Sequence, residues 1–362
     1  MELRTPPLYD VHADRATFTD FGGWEMPVEF DSIRTEHAAV RESVGIFDVS
    51  HMGEIVVTGP DATELVQGLV TADVTALDPG DAQYAAITDD AGIMLDDTIV
   101  YRLPASERAR YLFVPNAGHD AAAYDRWVDR RDDRGLDCEV RNETEAWAMV
   151  AVQGPDALDA VADATTDGAA APARNEIVEG EIGGVRSWIA RTGYTGEDGV
   201  EILCPTAGAE AVWAAFEGCQ PCGLGCRDTL RTEMGFLLSG QDFDPDEEPR
   251  TPYEAGIGWA VDLDTDFVGR DALAAAAESG PEETFVGLQL RERGIARHGH
   301  DVTVDGDVVG HVTSGTMSPT LGEPIALGYL PTSLSDPGTE VEVVVRGDGK
   351  RAEVVTTPFI RE

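Results

Sequence analysis

Lysine is almost absent from this sequence. Its 362 residues include 26 lysines and arginines against 68 aspartates and glutamates, and Lys350 is the one lysine. The formal charge of -42 is spread along the chain instead of being gathered in one block. Because no basic patch could neutralise phosphates, this distribution argues against nucleic-acid binding. An acidic surface without lysine suits concentrated salt, where the Debye length falls to roughly 3 Å at 1 M, and predicts an extremely halophilic cytoplasm.

Long apolar runs and a cysteine framework are also missing. No run approaches the roughly 18 apolar residues of a membrane span, and the start of the chain does not resemble a signal peptide, so we expect a cytoplasmic protein with no membrane contact. Five cysteines are too few and too scattered for a set of disulfides. Cys219, Cys222 and Cys226 resemble half of a metal site, but no second ligand cluster follows them, and we predict no metal.

Several motifs with a known chemistry are absent as well. The sequence has no Gly-x-Gly-x-x-Gly after a strand, no phosphate-cradling Gly-Lys-Ser/Thr, no Gly-x-Ser-x-Gly elbow and no His-Glu-x-x-His helix. These absences disfavour nucleotide hydrolysis, simple nicotinamide chemistry and zinc hydrolysis.

The hydrophobic content of 42% is enough for packed cores, and the patterns indicate mixed α+β modules. "FDSIRTEHAAVRESVG" predicts a helix that Asp31 or Ser32 caps and that Gly45 ends. "VVTGPDATELVQGL" and "AVQGPDALDAVADA" each read as a strand that runs through Gly-Pro-Asp into a helix. The echo suggests two related units, although Gly-Pro-Asp is a common helix start and coincidence explains it nearly as well.

The clearest boundary lies at Gly280 and Pro281, where an alanine-rich helix is predicted to end. The remaining sequence alternates polar and apolar residues in short runs joined by Asp-Gly turns. This pattern predicts an all-β module, a small barrel or sandwich, at the C-terminal end.

Two adjacent carboxylates interrupt a strand-like run in "AGIMLDDTIVYR". A period of two places Asp97 on one face with Ile93, Leu95, Ile99 and Tyr101, and Asp96 on the other, more polar face. A carboxylate among apolar neighbours must be paired, hydrogen-bonded or protonated, so Asp97 is a candidate functional group. The alternative is a structural carboxylate that accepts a bond from a nearby backbone N–H.

A second candidate is Glu201, which follows a turn with Gly193 and Gly196 and lies in the apolar strand of "RTGYTGEDGVEI". Its two oxygens can accept a parallel pair of N–H donors from a cyclic amidine. The alternative is an exposed strand glutamate. Arg227 and Arg231 follow near a helix start, where scarce arginines indicate specific pairing, or simply structural ion pairs.

Together these stretches resemble the aminomethyltransferase family, the T protein of the glycine cleavage system. The resemblance runs along the whole chain, through "VRESVGIFDVSHMGEI", "AGIMLDDTIVYR", "FVPNAG", "RTGYTGEDGVEI", "GLGCRDTLRTEMGFLLSGQD", "DFVGRDAL", "VTSGTMSPTLGEPIALGYLP" and "PFIRE". It implies a three-module, cloverleaf-like folate-binding fold, with two mixed α+β modules followed by a C-terminal β-barrel. The implied modules are residues 1–50 with 145–280, then 51–144, and finally 281–362.

The resemblance also implies the reaction and its partners. An aminomethyl group carried on the dihydrolipoyl arm of the H protein reacts with tetrahydrofolate, which releases ammonia and gives 5,10-methylenetetrahydrofolate. Glycine decarboxylase and dihydrolipoyl dehydrogenase are the functional partners. Asp97 matches the catalytic aspartate near the folate nitrogens, and whether it also removes a proton stays open. The matching folate-binding positions are Met52, Tyr84, Asp97, Asn116, Tyr194, Glu201, Arg227, Trp259 and Arg361.

Two departures from the family pattern stand out. Cys226 replaces the usual alanine before Arg227, which we interpret as packing. The acidic surface excludes a simple basic patch for docking the H protein. Two alternatives remain at this point: a folate-dependent demethylase of the same superfamily that acts on a free small substrate, and a non-catalytic folate-binding protein of iron-sulfur assembly. The second group carries a reactive cysteine where this chain has "LLSGQD".

Overall fold

The computed structural model of the chain describes residues 3–104, 110–166 and 171–360. Eight α-helices are found there: α1 Tyr9–His12, α2 Ile33–Glu42, α3 Ala62–Gln67, α4 Asp120–Arg134, α5 Ala157–Ala164, α6 Ala209–Ala214, α7 Leu224–Met234 and α8 Arg270–Ser279. No helix in this part of the chain is both long and apolar enough to cross a membrane.

The β-strands of the described residues form a hairpin, two open sheets and a barrel. In chain order they are β1 Thr17–Phe21, β2 Trp24–Glu29, β3 Gly45–Asp48, β4 Ile55–Thr58, β5 Ala82–Thr88, β6 Met94–Arg102, β7 Arg110–Phe113, β8 Glu139–Asn142, β9 Trp147–Gln153, β10 Ile177–Ile182, β11 Val185–Ala190, β12 Gly199–Pro205, β13 Gln220–Cys222, β14 Glu283–Leu290, β15 Asp301–Val304, β16 Asp307–Ser318, β17 Glu323–Pro331, β18 Glu340–Val345 and β19 Asp348–Val355.

The chain divides into two compact units. The first holds the described residues of Met1–Ile87, Asp96–Arg227 and Thr265–Phe267, and the second holds those of Thr88–Leu95, Asp228–Asp264 and Val268–Glu362. This division does not decide the three predicted modules, whose residue boundaries stay a prediction. The mixed α+β elements and the closed C-terminal barrel confirm the predicted fold class.

The first unit contains a six-stranded sheet in the order β10-β11-β12-β9-β3-β13. Its neighbouring strands are antiparallel except for β13, which runs parallel to β3. Alternate side chains of β9 and β12, among them Val150, Val152, Val200 and Ile202, pack in one apolar core with α5 and α6. The opposite face of β12 therefore presents the intervening residues, and Glu201 is one of them.

The second sheet has five strands in the order β5-β6-β7-β4-β8. Its central strands β7 and β4 are antiparallel and almost fully buried. Helix α4 packs on this sheet through Trp127, whose ring stacks on Phe113 of β7 at a centroid distance of 4.3 Å. A left-handed Gly135 ends α4 after Arg134, as the glycine following a helix commonly does.

Both Gly-Pro-Asp segments are strand-to-helix units. Gly59 follows β4 with φ 138° and Gly154 follows β9 with φ 137°. At both positions an added Cβ would lie within 3 Å of a backbone oxygen, of Asp137 and of Ser43 respectively. The same backbone turn therefore precedes α3 and α5. In both turns the glycine has a positive φ and lies close to a backbone oxygen, so only glycine fits there.

The start of α2 was predicted correctly and its end was not. Ser32 caps the helix by accepting the backbone N–H of Thr35 at 3.1 Å. Gly45, predicted to end the helix, is instead the first residue of β3, and α2 ends at Glu42. Gly45 is needed because a Cβ there would lie 2.5 Å from Val40 and 2.8 Å from the sulfur of Cys222.

The second unit contains a closed barrel in the order β14-β17-β16-β15-β18-β19. It begins just after α8, which ends at Ser279 before Gly280 with φ 73°, as the sequence predicted. The same unit buries an ion pair in which Arg231 lies 2.5 Å from Asp242, with both side chains 0% exposed. Arg231 also donates to the Asp228 carboxylate and to the Ser314 hydroxyl, so its charge is structural.

Candidate functional site

Asp97 lies on β6 with both carboxylate oxygens hydrogen-bonded. The Tyr84 hydroxyl, from β5, donates to Oδ2 at 2.6 Å. The Asn116 side-chain amide donates to Oδ1 at 2.7 Å. Both donors are neutral, and each oxygen keeps a further lone pair for a ligand donor.

Alternation along β6 separates the two aspartates, as predicted, but the burial of the two faces is the reverse of the expectation. Met94, Asp96, Thr98 and Val100 form the buried face, with Asp96 only 4% exposed. Asp97 lies on the half-buried face with Leu95 and Ile99. The prediction failed because Thr98 made its face look polar, whereas its hydroxyl in fact bonds the chain internally, accepting the N–H of Val114 at 2.9 Å.

The surroundings of Asp97 change its ionisation. Burial and the neighbouring charge of Asp96 raise its pKa from 3.8 to about 6, against the lowering effect of the bonds from Tyr84 and Asn116. Burial and the Asp97 charge raise the pKa of the Tyr84 hydroxyl well above its ordinary value, so this group stays a donor. The Asp97 carboxyl group is therefore mostly ionised above about pH 6 and mostly protonated below it.

Glu201 lies in the middle of β12, between Ala190 of β11 and Ala151 of β9. Its Oε2 accepts the Thr192 hydroxyl at 2.5 Å. Burial raises the pKa of Glu201, while the Thr192 bond and the Arg227 charge lower it. The prediction that Glu201 faces away from the apolar core is correct, because Val200 and Ile202 belong to that core and Glu201 does not.

A hydroxyl chain connects the two carboxylate strands of the first unit. Tyr101 lies on β6, on the same face as Asp97, and its hydroxyl is 3.1 Å from the Thr192 hydroxyl that bonds Glu201. Tyr101 is 0% exposed, and burial raises the pKa of its hydroxyl. Asp97 and Glu201 thus face a common region between the two sheets, although neither Tyr101 nor Thr192 was predicted as a site residue.

The turn before β12 carries Tyr194. A Cβ at Gly193 would lie 2.0 Å from the amide oxygen of Gln153, so that side chain would have to move, and Gly196 has φ 84°. The Gln153 amide also donates to the Thr192 carbonyl at 3.1 Å, which fixes the start of the turn. The predicted tight turn is present, and packing against Gln153 holds its shape.

Arg227 lies on α7 and stacks over the Tyr194 ring, with its guanidinium carbon 4.4 Å from the ring centroid. The pair presents a flat cationic and aromatic surface near Glu201. His51, which the sequence analysis missed, lies near Arg227: burial and the Arg227 charge lower its pKa, so the imidazole is neutral. Its ring also meets Phe21 edge-on at 5.2 Å. The only signal was its place beside Met52 in "SHMG".

The other predicted site residues are less closely tied to this group. Met52 is half-buried in the segment between β3 and β4, where its backbone N–H donates to the Val49 carbonyl. Trp259 lies in the second unit and is 73% exposed. Arg361 lies outside the described residues. Their roles stay predictions.

Cys222 and Cys226 form a buried group with Glu36, whose potential ligand atoms lie within 4.8 Å of one another. Glu36 already accepts the backbone N–H groups of Phe30, Asp31 and Gly223. Burial raises the pKa of the Cys222 thiol, which keeps it protonated. The Glu36 carboxylate therefore stabilises the backbone by these hydrogen bonds, and the Cys222 and Cys226 thiols pack beside it. This agrees with the interpretation of Cys226 as a packing residue.

Comparison with known proteins gives a consistent result along the whole chain. Residues 8–265 match the GCVT N-terminal domain, and residues 284–360 match the glycine cleavage T-protein C-terminal barrel domain. The chain is 62% identical to a probable aminomethyltransferase of the halophile Haloarcula marismortui, over 99% of both chains. It is 44% identical to an aminomethyltransferase of Streptomyces coelicolor, over 99% of this chain and 98% of that one.

Among solved structures, the chain is similar to the glycine cleavage system aminomethyltransferase T of Bartonella henselae. The two superpose with a TM-score of 0.91 at 34% identity, covering 99% of this chain and 98% of the other. The likeness includes the C-terminal barrel, because the match extends over nearly the entire length.

Proposed function

The chain belongs to the glycine cleavage T-protein family and is an aminomethyltransferase. We propose that it binds tetrahydrofolate and transfers the one-carbon unit at the site formed by Asp97, Glu201 and their hydrogen-bond partners. The proposal depends on the hydroxyl chain from Tyr101 through Thr192 to Glu201. This chain brings β6, which carries Asp97, close to β12, which carries Glu201. The relatives decide against the demethylase and the iron-sulfur assembly hypotheses.

The residues fit a reduced folate. A pterin ring presents adjacent N–H donors of an amidine, and Glu201 has oxygen lone pairs beyond the one that takes the Thr192 hydroxyl. The stacked Tyr194 and Arg227 offer a flat surface for an aromatic ring. Asp97, held by Tyr84 and Asn116, would then face the nitrogens that form bonds.

In the reaction, the two folate amine nitrogens form bonds to the methylene carbon. Its bonds to the lipoyl sulfur and to the amine nitrogen break, and the two folate N–H protons leave with the thiol and the ammonia. The carbon passes through cationic aminomethyl and iminium forms, which an ionised Asp97 stabilises at short range. We expect alignment of the two reactants to contribute more than this charge effect, because effective molarities in well-oriented intramolecular reactions reach about 10⁵ M and above.

The partner is the lipoylated H protein, with the glycine decarboxylase and dihydrolipoyl dehydrogenase acting on the same lipoyl arm. The chain carries a net charge of -42, so a docking surface made of basic residues is not available. Molar salt screens charges beyond roughly 3 Å. We therefore expect apolar contact and the inserted lipoyl arm to dominate the complex.

The direct test incubates the purified protein in molar KCl with aminomethylated H protein and tetrahydrofolate. Ammonia and 5,10-methylenetetrahydrofolate should appear in equal amounts, and omitting the H protein should abolish both. Free methylated amines offered in place of the H protein should give no product. Binding of tetrahydrofolate without any ammonia would overturn the proposal.

A further inference from the structure

One amide holds both aspartates of β6. The side-chain nitrogen of Asn116 donates to Asp96 Oδ1 at 2.7 Å, to Asp97 Oδ1 at 2.7 Å and to the Asp97 carbonyl at 3.1 Å. An amide group has only two N–H bonds, so these contacts are shared and depend on one position of the side chain. Any displacement of Asn116 therefore changes the hydrogen bonding of Asp97.

Asp96 fixes that position. Its Oδ2 accepts the backbone N–H of Asn116 at 3.0 Å, in addition to the side-chain bond, so Asn116 is held at two atoms. Its Oδ1 also accepts the backbone N–H of Asp97 at 3.0 Å. Asp96 is 4% exposed, and each of these three bonds to its oxygens comes from an N–H donor.

His119 brings a positive charge to this group when its imidazole is protonated. It precedes the first residue of α4, and its Nδ1 lies 3.1 Å from Asp96 Oδ2. The side chain is 37% exposed, so it can exchange a proton with solvent while it keeps contact with a buried carboxylate. An imidazole changes its charge in the physiological pH range.

We propose that Asp96 and His119 are positioning residues for the aminomethyl transfer, which hold Asn116 in place and set the charge that Asp97 experiences. The inference rests on the proposed function, because it assigns a purpose to the catalytic position of Asp97. The sequence placed Asp96 on the more polar face of β6 and did not indicate His119 as a site residue. Both act through Asn116 and through charge, without contact to the reacting atoms.

The electrostatic part follows from the groups that face the aspartates. The Asp96 charge is one of the two causes that raise the pKa of Asp97. A protonated His119 compensates that charge, and a neutral one does not. The Tyr84 hydroxyl bonds Asp97 Oδ2 and stays protonated, because burial and the Asp97 charge raise its pKa well above the ordinary value. Asp120 next to His119 has its own counter-ion, since Arg4 lies 2.9 Å from it.

Two substitutions separate this role from a structural one. His119→Gln keeps a donor for Asp96 and removes the positive charge, so the acid limb of the kcat profile should move up by roughly one pH unit. Asp96→Asn removes the like charge, so the limb should move down, while the plateau falls roughly tenfold because Asn116 loses a charged acceptor. Asp125→Asn, on the exposed face of α4, controls for the loss of one acidic residue.

A second readout does not depend on turnover. The carboxyl carbon of Asp97, labelled with ¹³C and assigned by its absence in Asp97→Asn, is titrated by NMR in the free protein. Opposite shifts of this titration in His119→Gln and Asp96→Asn support the inference even if the transfer assay fails. Unmoved titrations, or shifts in the same direction, overturn it even if the wild type is fully active.

Discussion

Asp242 in the second unit and Asp97 in the first are carboxylates that differ in what surrounds them. Asp242 in the second unit is 0% exposed and lies 2.5 Å from the Arg231 guanidinium. It also accepts the Leu238 backbone N–H and the hydroxyls of Thr313 and Ser314. The Asp242 carboxylate is thus hydrogen-bonded at both oxygens, and Arg231 is its counter-ion.

Asp97 in the first unit has no such counter-ion among the groups that bond it. Its hydrogen-bond donors are a phenol and an amide, and its neighbour in sequence is a second aspartate. This arrangement raises its pKa to about 6. Burial with an opposite charge produces a fixed structural pair, whereas burial beside a like charge leaves a group that changes its protonation near the working pH.

The largest effect is expected from Asp97→Asn. The amide keeps the shape of the side chain and loses the charge, so kcat should fall about 10²- to 10⁴-fold while the protein still folds. Rates of methylenetetrahydrofolate formation and thermal unfolding in molar KCl measure the two effects. Wild-type activity in this variant would remove Asp97 from the reaction.

The same substitution tests the pH dependence. Since the pKa of Asp97 is about 6, wild-type kcat should drop as the pH falls below 6, and Asp97→Asn should lack that limb. The raised pKa also means that ionisation of Asp97 opposes folding. This destabilisation is absent below the unfolded pKa, near 3.9, and develops as the pH rises through about 6. Wild type should therefore lose stability relative to Asp97→Asn across that window.

Removing the counter-ion tests the other half of the comparison. Arg231→Met leaves Asp242 charged and buried, so the free energy of unfolding should fall by about 3–5 kcal/mol. Denaturant unfolding in molar KCl measures it. Arg351→Met is the control, because Arg351 pairs with Glu292 on the exposed surface of the barrel and should change little. Equal losses in both variants would contradict the structural role of the buried pair.

Much of this contrast could be anticipated from the sequence, and the reasons are local. The end of α8 at Ser279 followed from Gly280 and Pro281, and the alternation on β6 separated Asp96 from Asp97. The cap at Ser32 followed from its position before an apolar repeat. Each of these features depends on residues within a few positions of one another.

The parts that could not be anticipated depend on contacts between distant residues. Tyr101 and Thr192 are 91 residues apart, and no period or motif indicates that their hydroxyls meet. Which face of β6 is buried depends on how α3 and α4 pack on the sheet, and the strand alone does not reveal it. The Asp96 contact with His119 likewise forms only when the start of α4 reaches β6.

A smaller effect is expected at Glu201, the other carboxylate of the proposed site. Glu201→Gln replaces a charged acceptor by a neutral one, so the KM for tetrahydrofolate should rise roughly tenfold, with kcat changed less. Steady-state kinetics with saturating H protein separate the two constants. Glu210→Gln, an exposed glutamate of α6, is the matched control. A fall in kcat at unchanged KM would move Glu201 from binding to chemistry.

The smallest effect is expected at a titrating pair in the second unit. His311 Nε2 lies 2.6 Å from Glu248 Oε2, and this bond raises the pKa of His311. The stability it contributes is fully present below the unfolded pKa, near 6.5, and is lost as the pH rises through the folded pKa. Because the pair is partly exposed, wild type should exceed His311→Gln by about 0.3–1 kcal/mol at pH 6 and by less at pH 8 in denaturant unfolding.

An advantage that is the same at both pH values would show that His311 contributes by packing alone. If this stability advantage changes with pH and kcat does not, the His311–Glu248 pair titrates without affecting catalysis. A titrating pair whose members carry opposite charges then has no catalytic function in this chain. The Arg250 guanidinium, hydrogen-bonded to Glu248 and 3.7 Å from the Tyr329 ring centroid, completes that pairing. A shifted pKa is then not what distinguishes the Asp97 site. What distinguishes it is that the neighbouring charge of Asp96 acts on Asp97 without an arginine bonded to Asp97, whereas Asp242 is paired directly with Arg231.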